Sequence, residues 1–205
     1  MSSFLLPRHG RPLVHGLLAC LVLLMGCSVW AHQVPWAKVT SMQVSDTQLR
    51  ARVDYVITDR QLAYDLRERF DADADRRLSG EEQARLQKYL VGEALRPLHV
   101  VLNGEAVALE LIAATTSGLG DRLPSSYPIT VVIALRAKLK IVPEFNTIRI
   151  SDYDARAQSE SILGVSFPKA FRLQVETRPE VVVSGETIWR VFTGEGQDLI
   201  INFQP

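Results

Sequence analysis

The sequence predicts an α+β fold: an antiparallel β-sandwich of many short strands with one helix-loop-helix inserted after the first hairpin. Three observations carry this. Apolar and polar residues alternate over most of the chain, which is the period of a half-buried strand. Gly, Pro or Asn-Gly punctuation recurs between these runs at sandwich-like spacing. In residues 59–94 alone the period changes to that of helices, around an Asp-rich loop.

The first element is a leader. Arg8 and Arg11 form a basic region, residues 13–25 are apolar, and Val29-Trp30-Ala31 offers small residues at the −3 and −1 positions of a signal-peptidase cut. The apolar run is shorter than the roughly 20 residues a spanning helix needs. Residues 1–31 are therefore expected to be a signal peptide and 32–205 one sandwich domain that works in the periplasm or is secreted. Leu24-Met25-Gly26-Cys27 resembles a bacterial lipobox, so the alternative is a lipoprotein held at a membrane through Cys27. Both cysteines, Cys20 and Cys27, lie in the leader, so a chain cut after Ala31 has no disulfide. Of 23 basic residues two belong to the leader, which leaves 21 against 23 acidic ones; that balance provides no footprint for nucleic acid.

Residues 38–45 and Gln48–Ile57 alternate as a hairpin turning at Ser45-Asp46. Thr58-Asp59 supplies an N-cap, after which Leu62, Leu66 and Phe70 recur at helical spacing. A second helix is expected over residues 79–94, with Leu86 and Leu90 on one face. Strands return after Pro97, at 98–102 and 106–112 around Asn103-Gly104, a hairpin signal. Further strands are expected at 129–138, 147–150, 162–167, 171–176, 180–183, 189–193 and 199–203. Asp152 and Asp154 read as turn residues. Trp30, Trp36 and Trp189 read as core or hairpin residues. Gly194-Glu195-Gly196 reads as a hairpin loop.

The loop between the helices carries the chemistry. Asp71, Asp73, Asp75 and Glu82 occupy positions one, three, five and twelve of a twelve-residue run. Calcium takes six to eight oxygens, and alternate residues of a tight loop aim at one centre. Asp71, Asp73 and Asp75 would supply carboxylate oxygens, Arg77 its backbone carbonyl, Ser79 a direct or water-mediated contact and Glu82 both carboxylate oxygens. Leu78, at position eight, is the apolar residue that packs between the helices. On these residues the segment from about Asp59 to Leu90 resembles an EF-hand. It departs from that pattern at position six, where Arg76 stands in place of glycine. A side chain at positive φ costs roughly 1 kcal/mol, and Arg76 and Arg77 add positive charge beside the cation. The expected cofactor is thus a weakly held Ca2+, in the range of about 10⁻⁴–10⁻³ M.

The order of leader, Ala-His, hairpin, Asp-rich helix pair and strand-Asn-Gly-strand resembles uncharacterised bacterial periplasmic proteins and the extracytoplasmic domain of HupE/UreJ-type permeases. That resemblance implies an envelope accessory or interaction module, partnered by another envelope protein or a metal transporter. An alternative is a transition-metal accessory that chelates Ni2+ or Cu2+ through an N-terminal His32, with His99 as the other histidine of the mature chain. Gly164-Val165-Ser166-Phe167-Pro168 resembles a nucleophile elbow only superficially, since Pro168 replaces the closing glycine. A non-catalytic protein is expected.

Overall fold

Two β-sheets and two helices make up the described part of the chain. The computed structural model describes residues 36–119, 127–152, 161–175, 181–192 and 197–205; the leader, the cleavage site with His32, Asp154 and Gly194-Glu195-Gly196 lie outside them. The elements run β1 (Trp36–Val44), β2 (Gln48–Ile57), α1 (Arg60–Phe70), α2 (Gly80–Leu95), β3 (Leu98–Leu102), β4 (Glu105–Ala106), β5 (Glu110–Ser117), β6 (Ile129–Lys138), β7 (Asn146–Asp152), β8 (Ser161–Ser166), β9 (Arg172–Val175), β10 (Val181–Ser184), β11 (Thr187–Phe192) and β12 (Leu199–Gln204). The seven-stranded sheet has the order β10-β11-β8-β1-β2-β6-β5, and the five-stranded sheet the order β4-β3-β7-β12-β9. The fold is therefore a β-rich α+β fold.

The alternation in the sequence decides which face each strand buries. On β2, Leu49, Ala51, Val53, Tyr55 and Ile57 are buried while Arg50 and Arg52 are exposed. Its neighbour β6 buries Ile129, Val131, Ile133, Leu135 and Ala137 in the same way, paired with β2 in continuous antiparallel register. A shift of one residue would turn both sets outward, so burial fixes the register. Ile148 and Ile150 of β7 and Ile201 and Phe203 of β12 join these residues, with Leu86 and Leu90 of α2, in one apolar cluster.

Several boundaries and one direction differ from the sequence expectation. The strand expected over 106–112 is split: β4 is a two-residue stub, and β5 begins at Glu110 with a bulge between Leu111 and Ala113. Asn103-Gly104 turns β3 into β4 with φ of 52° and 85°, as the two positive φ values of a type I′ turn require. The β1–β8 pair is parallel, an exception to the antiparallel expectation. Between β7 and β8 the chain changes sheet, so β8 is free to enter beside β1 in the same direction. Asp152 is not a turn residue but the buried last residue of β7. Trp189 points outward, 38% exposed, because it alternates with the buried Ile188 and Arg190. Trp36 is half-buried against Tyr55, ring centroids 5.9 Å apart.

Candidate metal centre

The acidic loop is held between two capped helix ends. Asp59 caps α1 by accepting from the Leu62 N–H at 2.7 Å. The helix closes at Asp71, whose N–H donates to the Arg67 carbonyl at 3.0 Å. Eight residues later Ser79 caps α2. Its hydroxyl accepts from the Glu82 N–H at 3.3 Å, while its own N–H donates to Glu82 Oε2 at 2.8 Å, the reciprocal pair of a capping box.

Glu82 does more than cap. Its Oε1 accepts from the Ala72 N–H at 2.6 Å, so one carboxylate ties the start of the loop to its end. The residue is 3% exposed, and its carboxyl is held below the ordinary glutamate value of 4.5, first by the Ser79 N–H, then by the Ala72 N–H and the Ser79 hydroxyl. Arg85, three residues on, stands 3.7 Å from Oε1. An ionised, buried carboxylate therefore faces the loop.

The rest of the loop folds around it by local hydrogen bonds. Asp71 Oδ2 accepts from the Arg76 N–H at 3.0 Å, Asp73 Oδ1 from the Asp75 N–H at 3.2 Å, and Asp75 Oδ1 from the Arg77 N–H at 2.8 Å. Arg76 sits at φ 66° and Ala74 at φ 56°, so position six adopts the left-handed conformation despite its side chain, at the cost of local strain. Leu78 is buried, and Phe70 packs on Tyr89 across the two helices with ring centroids 5.5 Å apart.

Of the six residues singled out from sequence, three converge. One carboxylate oxygen each from Asp71, Asp73 and Glu82 lie within 4.8 Å of one another. Two oxygens on one calcium ion are separated by at most about twice a bond length of 2.3–2.6 Å, so this spacing suits a shared cation. Asp71 Oδ1 is buried without a hydrogen-bond partner, an acceptor left free where a cation would be ligated. The other three stand differently. Asp75 is exposed and occupied in its turn, Arg77 is exposed, and the Ser79 hydroxyl serves as the N-cap. His99 is exposed on β3 opposite Ser151. Ser166, at the end of β8, shares a 2.9 Å hydrogen bond with Thr187.

Two buried polar features were missed. Arg67 is fully buried; it donates to the Gly118 carbonyl from Nη2 at 2.5 Å and to the Tyr127 carbonyl at 2.7 Å, which fastens α1 to the end of β5. Gly118 has φ +84°, and a Cβ there would meet the Pro128 carbonyl oxygen at 2.3 Å. The signal was present, since Arg67 falls four residues after Ala63 on the apolar stripe of α1. The other is a buried polar group of Lys38, Thr40, Asp152 and Ser161, for which the sequence offers no local pattern.

No family profile and no curated protein matches the chain. Among solved structures it is similar to native yeast LTA4 hydrolase, with 9% identity and a TM-score of 0.32 over 82% of this chain and 29% of that one. It is also similar to a mutant M1 zinc metallopeptidase of Deinococcus radiodurans bound to a Tyr-Ser-Ala substrate, with 11% identity and a TM-score of 0.27 over 84% of this chain and 43% of that one. The chain thus spans less than half the length of either structure, and at these scores the likeness carries no argument about fold or activity. No helix among the described residues is long and apolar enough to cross a membrane.

Proposed function

We propose that the protein is a non-catalytic calcium-binding module of the bacterial envelope. In this reading α1, the acidic loop and α2 form an EF-hand-like unit inserted into a β-sandwich made by the two sheets. A leader carries the chain out of the cytosol, and the sandwich presents a surface to another envelope protein or to a metal transporter. The observation that supports it is the gathering of Asp71, Asp73 and Glu82 oxygens within 4.8 Å, with Asp71 Oδ1 buried and free of any hydrogen bond. Four carboxylates and a hydroxyl are all hard oxygen donors, which suits calcium over softer metals.

The residues divide the work. Asp71, Asp73 and Glu82 would hold the ion, Asp75 would join them if its side chain gave up the Arg77 N–H, and Glu82 already braces the loop closed. Bound calcium would supply positive charge among the carboxylates and so join the ends of α1 and α2. With one such loop and a strained Arg76, the role is local bracing with weak affinity.

Calcium titration tests this directly. At ten times its dissociation constant a ligand stabilises the native state by about 1.4 kcal/mol, which for a domain of this size raises Tm by roughly 3–5 °C. Millimolar calcium is expected to produce that rise and chelator to reverse it. A melting curve indifferent to both removes the calcium role.

A further inference from the structure

The buried polar group in the core takes no part in the calcium reading. Lys38 on β1 and Asp152 on β7 are 6% and 0% exposed, and they connect the seven-stranded sheet to the five-stranded one. The Lys38 ammonium contacts Asp152 Oδ1 and donates to the Ala94 carbonyl, near the end of α2, at 2.6 Å. Asp152 Oδ2 accepts from the Thr40 hydroxyl at 2.8 Å and from the Ser161 hydroxyl at 2.9 Å. Thr40 follows Lys38 on the same face of β1, and Ser161 on β8 is the register partner of Lys38. We propose that Lys38 and Asp152 condense, without any other reactant, into an isopeptide bond that links the two sheets covalently.

The donor and acceptor count favours the amide over the ion pair. An ammonium carries three N–H donors, and among the described residues two acceptors face it. The amide would keep one N–H, matched by the Ala94 carbonyl, and one carbonyl oxygen, matched by the two hydroxyls. Condensation would also remove two charges from an apolar interior, where each carries a desolvation penalty. The chain from His32 onward has no cysteine, so this is a cross-link it can form independently of redox conditions.

The step balances within the group. Nζ passes one proton to Oδ1 and attacks Cγ, so the Nζ–Cγ bond forms. Charge develops on Oδ2, where the Thr40 and Ser161 hydroxyls are already aimed as donors. Nζ then releases its second proton to Oδ1, the Cγ–Oδ1 bond breaks, and one water leaves. The fold holds nucleophile and carboxyl in contact, which replaces a bimolecular encounter.

Mass spectrometry of the full chain under denaturing conditions tests it, with the N-terminus read from the same sample. The protein is expected to be lighter by one water than its sequence requires, and a digest is expected to yield a branched peptide containing both Lys38 and Asp152. Lys38→Arg is expected at full mass. The branched peptide is read in the parent, so it does not depend on how the variant folds. A folded parent at full mass overturns the proposal. So does a water deficit that persists in Lys38→Arg, which would indicate a cyclic imide.

Discussion

Two groups of carboxylates in this molecule meet opposite surroundings. Asp152 is sealed in the core, and both its oxygens are engaged by Lys38, Thr40 and Ser161. Asp71, Asp73 and Asp75 lie at the surface in a loop braced by short-range hydrogen bonds, with one Asp71 oxygen unpartnered. In the core, the members of the group come from three separate strands and one helix, so the arrangement exists only when both sheets are assembled. In the loop, the hydrogen bonds accepted by Asp71, Asp73 and Asp75 reach at most five residues along the chain, and the longest that closes it, from the Ala72 N–H to Glu82, spans ten. The difference teaches where each group's energy resides. A buried charge depends on keeping every partner, whereas an exposed acidic loop has spare capacity for a ligand.

The largest break in this comparison is expected in the core. Asp152→Ala strands Lys38 without its counter-charge, and loss of one member of a buried pair costs about 3–5 kcal/mol. Urea denaturation is expected to show it as a lower midpoint, and with the Lys38–Asp152 cross-link gone also as a steeper slope, because the unfolded chain is no longer constrained. The double variant Lys38→Met with Asp152→Leu is expected to be more stable than Asp152→Ala, because no unpaired charge remains. If Asp152→Ala costs less than 1 kcal/mol, Lys38 has another partner and the contrast between the two regions fails.

Glu82 belongs partly to both regions, since it is buried like Asp152 and faces the loop. Glu82→Gln removes a negative charge and the paired acceptors at the closing position, so calcium binding is expected to weaken roughly tenfold to a hundredfold, as read by calorimetry. The same variant tests acid stability. The carboxyl lies below its ordinary value of 4.5 when folded, so its contribution is complete above that pH and is lost as pH falls through the lower folded value. Below pH 4.5 the parent is expected to lose stability more steeply than Glu82→Gln; parallel acid limbs would show that the hydrogen bonds from Ser79 and Ala72 do not favour the ionised form.

The smallest effect is expected at Arg76. Its φ of 66° carries a strain that glycine lacks, and its charge opposes a cation. Arg76→Gly is expected to tighten calcium binding about five- to thirtyfold, again by calorimetry, with no loss of thermal stability in chelator. Equal affinity in parent and variant would place the strain and charge of Arg76 outside the binding equilibrium.

Much of the loop was legible because its information is local. The twelve-residue spacing, the cap at Asp59, the buried Leu78 and the positive φ at position six all follow from neighbours within a few residues, whereas Ser79, expected as a ligand, serves as an N-cap. What spacing could not give is which ligands converge: Asp71, Asp73 and Glu82 do, while Asp75 is held by the Arg77 N–H. Strands fared similarly. Alternation identified β2 and β6 with their buried faces, but β4 pairs with β3 and β5 with β6 in different sheets, and a change of sheet has no period of its own.

From the sequence alone came the β-rich α+β class, the two helices, the hairpin turn at Asn103-Gly104 and the acidic loop, each a consequence of periodicity or of a residue's own conformational preference. Tertiary structure alone decided the parallel pairing of β1 with β8, the partners of Arg67 at the Gly118 and Tyr127 carbonyls and the meeting of Lys38 with Asp152, 114 residues apart in the chain. Asp152 read as a turn residue because its short side chain satisfies local backbone groups when nothing else is near; here Lys38, Thr40 and Ser161 are near, and they come from strands that only the closed fold brings to it.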